Sequence, residues 1–246
     1  MKIQLKENER IDDLQRNGLS IIQNDQAFRF GMDAVLLADF TRVNPRDKIA
    51  DMGTGTGILP LLLSQKEETA AFHAFEIQQE MAEMASRSMI MNELEKRISV
   101  HATDMRQATT VIARESMDAV VCNPPYGKHG AALKSETQTV SIARHEDECQ
   151  LGDIIKSCAA VLRNRGRLSM VFPAQRMLEL LDTLRSSRLE PKRIRMVCAK
   201  VDRAPYLVLV EAMKNARPAL LWMPPLVVYH ADGSETDEIH RIYHRA

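Results

Sequence analysis

The strongest constraint on the fold is a glycine-rich turn between an apolar strand and an apolar helix. KIADMG (Lys48–Gly53) has the pattern of a buried strand, and GILPLLLSQKEE that of a helix opening after glycine. Three alternating glycines lie between them, in DMGTGTG (Asp51–Gly57). A strand that passes through a short turn into a helix is half of a parallel strand–helix–strand unit, so this segment predicts an α/β fold.

The same alternation continues along the chain. Further strands are predicted at AAFHAFEI, ISVHATD, MDAVVCN, RLSMVFP, IRMVCAK and YLVLVEA, and helices over Gln78–Glu93, Leu151–Leu162 and Ala174–Ser187. Only VDRAP separates the last two strands, which is too short for a parallel crossover. We therefore predict a doubly wound, mostly parallel seven-stranded α/β sheet of the Rossmann-like kind, with an antiparallel edge hairpin.

Residues 1–45 precede this alternation. Within them LSIIQND predicts a short strand and turn, and MDAVLLADF a helix. We expect residues 1–45 to form an extension that packs on a catalytic domain spanning 46–246, as one globular unit. The tail after Leu226 contains a DG turn and predicts a hairpin, or a strand and a helix.

Composition narrows the functional classes. Lys+Arg and Asp+Glu both number 33, so no overall positive field draws the chain to nucleic acid, although a local basic patch could do so. The four cysteines form no CxxC pair, and His240 and His244 lack a third ligand, so no metal is expected. The start has no signal-peptide pattern and no apolar run approaches the ~18 residues of a membrane span. A cytoplasmic protein without membrane contact is expected.

The glycine turn predicts a nucleotide-like ligand, because glycines let the backbone approach it closely and a helix start offers free N–H groups. GxGxG departs from the dinucleotide pattern GxGxxG at Ile58, and no phosphate-binding GxxxxGK run occurs. Glu76 and Asp104 end the next two strands, where they could accept from ribose hydroxyls and from an adenine amine. The alternatives are an ordinary turn and two solvated acids.

Asn123-Pro124-Pro125-Tyr126 (NPPY) ends the fourth strand. The prolines alone could terminate a strand, since they lack an N–H donor. As a site, the Asn123 side-chain oxygen and the Pro124 carbonyl could accept the two N–H groups of a planar amine and stabilise charge that develops on its nitrogen. Stiff prolines would hold these acceptors in place, and Tyr126 could stack on a planar base.

These motifs resemble those of known enzymes. DxGxGxG resembles motif I of class I S-adenosylmethionine-dependent methyltransferases. NPPY resembles the (D/N)PP(Y/F) motif of amino-methyltransferases, which act on adenine N6, guanine N2 or protein glutamine. DDLQRNGLSIIQN, FRFGMDAVLLADF, SIARHEDE and AKVDRAPYLVLVEAMK resemble the bacterial methyltransferases that modify adenine 37 at N6 in valine tRNA, with a likeness from about Glu9 to Tyr243.

The resemblance implies S-adenosyl-L-methionine as cofactor, S-adenosyl-L-homocysteine as product, tRNA as substrate, and a monomer or weak dimer. Catalytic residues would be Asn123, Pro124, Pro125 and Tyr126. Cofactor contacts would come from Asp51, Gly53, Thr54, Gly55, Gly57, Glu76, Asp104 and Asn123. Phe30, Gly31 and Asp33 would lie near the methionine end of the cofactor, although they could equally form an apolar entry into a helix.

Two basic groups are candidates for RNA binding. One is the polar loop after Tyr126, whose candidates are Lys128, Lys134, Arg144 and His145. The other comprises Lys192, Arg193 and Arg195 with Lys200 and Arg203. A solvated loop and a charged edge strand remain the alternatives.

Several rival functions remain. Protein glutamine N5-methyltransferases and rRNA amino-methyltransferases share the NPPY chemistry, but the glutamine enzymes carry a longer helical amino-terminal domain than the segment before Arg46 allows. A DNA adenine methyltransferase would need a target-recognition domain. A catalytically silent RNA-binding module is the non-enzyme alternative.

Overall fold

The computed structural model describes residues 4–25, 31–125 and 150–244. The helices are α1 (Met32–Phe40), α2 (Ile58–Ser64), α3 (Gln79–Met91), α4 (Leu151–Val161), α5 (Met177–Ser186) and α6 (Asp237–Ile242). The long strands are β3 (Lys48–Met52), β4 (Ala71–Glu76), β5 (Ile98–Ala102), β6 (Met117–Cys122), β7 (Leu162–Pro173), β8 (Leu189–Cys198) and β9 (Pro205–Lys214). Short strands are β1 (Glu9–Asp13), β2 (Ser20–Asn24), β10 (Leu221–Trp222) and β11 (Leu226–Val227).

The central sheet confirms the predicted α/β class. Its order is β10-β8-β9-β7-β6-β3-β4-β5, with β11 also paired to β8. Strands β3 to β7 are parallel, whereas β9 is antiparallel to both neighbours. The seven predicted strands are all present. The predicted antiparallel hairpin is formed by β8 and β9. Its second strand, β9, lies between β7 and β8, so the first strand is the one nearer the edge of the sheet.

Two strands were not predicted. The first is β10, which pairs with β8 just before Met223-Pro224-Pro225, whereas β11, just after these residues, and α6 are the strand and helix predicted for the tail. A proline pair cannot donate to a strand ladder, so the edge is broken at this point. The second is β1, which pairs antiparallel with β2 in a separate two-stranded sheet.

Two apolar layers cover the sheet. The layer containing α1, α2, α6 and β2 packs on one face, with Ile21, Leu36 and Leu63 fully buried. The other layer holds α4, α5 and the short 3-10 helix Met105–Thr110. Burial on both faces explains why the strands read as continuous apolar runs.

The amino-terminal segment is attached to the sheet's helices. The amide of Ile22 in β2 donates to the Ser88 hydroxyl of α3 at 3.0 Å, and Arg87 of α3 pairs with Glu9 of β1 at 2.5 Å. These contacts describe the packing of residues 4–25. The division at residue 45 stays a prediction.

A buried ion-pair cluster connects α1 to the sheet. Glu211 of β9 is fully buried and accepts from Arg42, just after α1, and from Arg193 of β8 at 3.1 Å. The Arg193 guanidinium lies 4.5 Å from the centre of the Phe40 ring. A buried carboxylate of this kind needs both partners, because an unpaired charge is costly in the interior.

Two histidines form a hydrogen-bonded pair on β4 and β5. The His73 Nδ1 and His101 Nε2 atoms are 3.0 Å apart, and the rings are stacked. One neutral ring donates to the other, and both pKa values are lowered, first by burial and then by the charge of Lys48 on His73 and of His73 on His101.

We expect this pair to weaken the fold in acid. Below about pH 6.5 the unfolded chain binds more protons than the folded one, because the folded pKa values are lower. The contribution of the pair to the free energy of unfolding, taken as the difference between the unsubstituted protein and His101→Gln, should therefore be constant above that pH and fall below it, in urea titrations from pH 5 to pH 8. His101→Gln should flatten the profile and the exposed-site control His230→Gln should not. An unchanged acid slope in His101→Gln would contradict this assignment.

Candidate active site

The glycine turn, Glu76, Asp104 and Asn123 lie at the ends of neighbouring parallel strands, at one edge of the sheet. Strand β3 lies between β4 and β6, and from β3 the chain first builds outward through β4 and β5 and then crosses to β6. This is the topological switch point at which open α/β sheets bind ligands. Asp51 pairs with Val121, and the Cys122 thiol donates to the Met52 carbonyl at 3.2 Å. The glycine turn and Asn123 thus leave adjacent strands at the same level.

The glycine turn has a conformation that depends on glycine. Gly53, Gly55 and Gly57 have φ values of 85°, 57° and 90°. A Cβ atom at Gly57 would lie 2.5 Å from the Met89 methyl group and 3.2 Å from the Ala85 Cβ of α3. Gly57 also caps α2, so the turn presses directly on α3 while leading into a helix start. A side chain at this position would displace α3 and the turn together.

Asp51 is a buried carboxyl group without a hydrogen-bond partner. Its side chain is fully buried, and within the described part of the chain neither oxygen accepts a hydrogen bond. Burial, with a smaller contribution from the charge of Glu76, raises the pKa of Asp51 to about 7. The Thr54 hydroxyl opposes this shift, although the two groups do not reach hydrogen-bond geometry. Such a group is suited to a cationic ligand.

Glu76 is the last residue of β4, and its side chain is hydrogen-bonded to the glycine turn. Its Oε2 accepts from the Gly55 amide and its Oε1 from the Gln78 amide, both at 2.9 Å. The Gly53 and Thr54 amides both donate to the Phe75 carbonyl. These bonds fix the carboxylate beside the turn. Each oxygen can still accept another hydrogen bond, because an ionised carboxylate has about four acceptor sites.

Asp104 has a partner that the sequence analysis missed. Its Oδ1 accepts from the Arg106 amide at 2.8 Å and its Oδ2 from Arg106 Nε at 2.7 Å. Burial raises the pKa of Asp104, but the hydrogen bonds and charge of Arg106 outweigh this and lower it. An arginine two residues after the acid, in ATDMR, was the available signal. Arg106 therefore orients the Asp104 carboxylate.

The NPPY motif begins where β6 ends. Asn123 is half-buried, Pro124 is buried and Pro125 is exposed. Strand β6 ends at Cys122, so the first proline stands two residues beyond the ladder. Tyr126 lies outside the described residues, as do Lys128, Lys134, Arg144 and His145.

The start of α1 lies near the amino end of β9. The Tyr206 hydroxyl is 3.9 Å from the Met32 sulfur, and Asp33 acts electrostatically on the same phenol. The Ala34 amide donates to Asp33 Oδ1, and Gly31 is the N-cap. Since β9 runs antiparallel to β7, its amino end lies at the sheet edge that carries the site. Phe30 falls outside the described residues.

The second basic group divides into two parts. Arg193 forms an ion pair with Glu211, and Arg195 forms one with Glu238 at 2.8 Å. Lys200 and Arg203 lie in the turn between β8 and β9, at the same edge as Asn123. The Lys200 ammonium donates to the Ala231 carbonyl, and Arg203 is exposed. Of the residues in this second basic group, Lys200 and Arg203 are the two that lie near the site.

Neither a metal-binding cluster nor a membrane-spanning helix occurs in the part of the chain that the structure describes. In residues 4–25, 31–125 and 150–244, no group of three or more His, Cys, Asp or Glu side chains could hold a metal ion. Over the same residues, no helix is long and apolar enough to cross a membrane.

The site can be compared with known proteins. The family model described as the methyltransferase small domain matches residues 31–190, more than half of the chain. A curated tRNA1(Val) (adenine(37)-N6)-methyltransferase of Haemophilus influenzae (strain PittEE) is 30% identical over 218 residues, 88% of this chain and 90% of that protein. The chain belongs to this methyltransferase family.

Other relatives agree on the class. A protein of the same description from Parabacteroides distasonis is 29% identical over 75% of this chain and 76% of its own. The crystal structure of a predicted O-methyltransferase from Agrobacterium tumefaciens matches with a TM-score of 0.70 and 25% identity, over 87% of this chain and 97% of that one. The predictions of a methyltransferase and of its Rossmann-like fold are confirmed.

The cofactor predicted from the sequence, S-adenosylmethionine, fits the residues present. The Asp51 carboxyl group, which has no hydrogen-bond partner among the described residues, suits a ligand that carries an ammonium, and the positive φ values of Gly53 and Gly55 allow the backbone of the turn to approach a ligand closely. Glu76 accepts from the Gly55 amide of the turn, and Asp104 follows β5, the strand next to β4.

We expect cofactor binding to be linked to a proton on Asp51. A cationic ligand lowers the pKa of this carboxyl group from about 7, so binding releases a proton and affinity rises with pH through neutrality before levelling off. Calorimetry in two buffers of different ionisation enthalpy measures the release. Asp51→Asn should bind more weakly and without pH dependence. Asp232→Asn, at an exposed turn, is the control. Proton-independent binding by the unsubstituted protein would exclude this linkage.

Proposed function

We propose that this protein transfers a methyl group from S-adenosyl-L-methionine to the N6 amine of adenine in tRNA, at adenine 37 of tRNA1(Val) as its relatives are described. The observation that carries the chemistry is the position of Asn123 and Pro124 at the switch point, one strand from the glycine turn. An amine-orienting motif at that position is suited to methylation of a planar nitrogen.

In this proposal Asp51, Gly53, Thr54, Gly55, Gly57, Glu76 and Asp104 hold the cofactor, with Gly31, Asp33, Asn123 and the undescribed Phe30 at its methionine end. Glu76 accepts from the ribose hydroxyls, and Asp104, oriented by Arg106, from the adenine amine. The cofactor supplies the methyl group on a positively charged sulfur. The chain itself therefore needs no covalent nucleophile.

The acceptor amine is oriented by hydrogen bonds from its two N–H groups. The Asn123 side-chain oxygen and the Pro124 carbonyl accept them, which turns the nitrogen lone pair toward the methyl donor. Both acceptors stabilise the positive charge that develops on nitrogen during transfer. Proline stiffness at 124 and 125 lowers the cost of reaching this geometry. Tyr126, which lies outside the described residues, would stack on the base.

The tRNA would be held by basic side chains at the same edge. Lys200 and Arg203 occupy the turn between β8 and β9, and Lys128, Lys134, Arg144 and His145 belong to the undescribed loop after the motif. We further propose that residues 1–45 act as an extension of a methyltransferase domain at 46–246. We also propose that the protein is a monomer or weak dimer in the cytoplasm, where tRNA is available.

Other acceptors with the same chemistry would be protein glutamine or an rRNA base. The similar Agrobacterium protein is described as a predicted O-methyltransferase. A hydroxyl acceptor has one proton, however, and makes no use of two fixed acceptors, so the Asn123-Pro124 pair favours an amine.

The decisive experiment supplies the protein with cofactor labelled in its methyl group and with separate pools of tRNA, rRNA, DNA and protein. We expect label in tRNA, on adenine N6 after digestion and mass analysis. A transcript of tRNA1(Val) with adenine 37 replaced by guanine should accept none. Label in protein or rRNA alone would overturn the tRNA proposal, and cofactor binding without any transfer would favour a silent binding module.

A further inference from the structure

Strands β7 and β9 continue past the level at which β6 ends. The last pair between β6 and β7 joins Cys122 to Met170, whereas β7 continues to Pro173, which pairs with Leu207 of β9. The ends of these two strands therefore extend beyond β6 at this edge of the sheet. We call them the β7–β9 wall, which consists of residues 171–173 and 205–207. At the usual strand spacing, β9 lies about 10 Å from β6. The wall bounds one side of the space above Asn123.

A β-bulge sets the direction of one side chain in this wall. Val197 of β8 pairs with Leu207 and Cys198 with Pro205, so Tyr206 has no opposite residue in β8. Alternation along β9 would send Tyr206 and Leu207 to opposite faces of the sheet. Both instead pack against the apolar layer that contains α1. Bulges beside active sites re-aim side chains in this way.

The Tyr206 hydroxyl makes fewer hydrogen bonds to the described residues than it is able to make. Within the described part of the chain its only hydrogen-bond partner is the Met32 sulfur at 3.9 Å, a weak acceptor. Burial, with smaller electrostatic contributions from Tyr229, Asp33 and Cys198, raises the pKa of Tyr206 to about 12. The phenol is therefore a neutral O–H group whose hydrogen makes only this weak contact among the described residues. It lies at the site edge, beside the first turn of α1.

We propose that the Tyr206 hydroxyl donates a hydrogen bond to a ring nitrogen of the target adenine that flanks its N6 amine, N1 or N7. The inference rests on the proposed function, and it assigns Tyr206 as a specificity-determining residue. Asn123 and Pro124 recognise the amine as a donor, and Tyr206 recognises the neighbouring nitrogen as an acceptor. Guanine has an oxygen in place of the amine, so it offers no N–H group to Asn123 and Pro124. Its N1 carries hydrogen, so that nitrogen cannot accept a hydrogen bond from Tyr206.

A purely structural role for Tyr206 predicts a different outcome. The phenol could simply fix the start of α1 through Met32, and its loss would then slow methylation of every substrate equally. The experiment must therefore alter the substrate atom as well as the residue. Tyr243 packs on the same apolar layer near α6, and Tyr243→Phe provides a matched loss of one phenolic hydroxyl.

The substrates are tRNA1(Val) molecules joined from synthetic fragments, with adenosine, 1-deazaadenosine or 7-deazaadenosine at position 37. Each deaza base replaces one ring nitrogen by C–H and keeps the amine. Tyr206→Phe should lower kcat/KM on adenosine about tenfold, the value expected for one lost hydrogen bond. One of the two deaza bases should lower kcat/KM of the unsubstituted protein similarly and should cause no further loss in Tyr206→Phe.

The cofactor Kd of Tyr206→Phe should be unchanged, and Tyr243→Phe should match the unsubstituted protein on all three substrates. Additive losses for both deaza bases in Tyr206→Phe, or full activity of that variant on adenosine, would overturn the proposal. If the unsubstituted protein failed to methylate the adenosine substrate, the fault would lie in the proposed function and not in the role of Tyr206.

Discussion

Asn123→Ala should reduce kcat by about 10²–10³-fold and should raise the cofactor Kd far less, because Asn123 is only one of the proposed cofactor contacts. The substitution removes one of two oxygens that orient the acceptor amine and stabilise charge on its nitrogen. Asn123 follows the last residue of β6 and is half-buried, so truncation leaves the strand ladder intact. Single-turnover methylation of the tRNA substrate measures the chemical step, and calorimetry measures cofactor binding.

Two further variants sharpen this expectation. Asn123→Asp keeps an acceptor oxygen at the same position and should retain far more activity than Asn123→Ala. Asn164→Ala removes an exposed amide near the other end of β7 and should be neutral in both assays. Near-normal turnover by Asn123→Ala would rule out the amine-orienting role, whatever the substrate proves to be.

Glu211→Gln should lower the free energy of unfolding by about 3–5 kcal/mol. The change keeps the shape of the side chain but removes the charge that compensates Arg42 and Arg193. Arg193 is mostly buried, its Nη1 is 3.1 Å from Glu211 Oε2, and burial lowers its pKa. One partner of a buried ion pair is costly to remove, because the other remains desolvated and unpaired.

Urea titration at neutral pH measures this loss. Glu115→Gln is the control, because the exposed Glu115 carboxylate pairs with Lys214 at 2.9 Å, and Lys214 keeps two backbone carbonyl partners when that charge is removed. Glu211→Gln should also loosen α1, since Arg42 and Phe40 connect that helix to the cluster. A loss below about 1 kcal/mol would mean that the arginines find other partners or reach water.

Much of the fold could be predicted from local patterns. Strands buried on both faces give continuous apolar runs, and the glycine turn marks where β3 meets α2. Residues at the carboxyl ends of β3, β4, β5 and β6 could therefore be assigned to one edge of the sheet from their positions in the sequence. The register confirms that they meet there.

The remainder depends on long-range contacts that leave no local pattern. The charges of Arg193 and Arg195 look like a basic surface in sequence, and only the fold brings Glu211 and Glu238 to them. The bulge at Tyr206 arises from the pairing of two strands, and the short strands β10 and β11 exist only because β8 offers an edge. Pairing partners of this kind are set by tertiary structure.

The insertion of β9 has a consequence for synthesis on the ribosome. Strand β8 is made before β9, yet its long partner in the sheet is β9, which also pairs with β7. Until residue 214 has emerged, β7 presents a bare edge and β8 lacks that neighbour. Such an intermediate exposes unpaired strands, the usual route to association between nascent chains. Translation pauses before residue 205 should therefore lower the yield of folded protein more than pauses after residue 214.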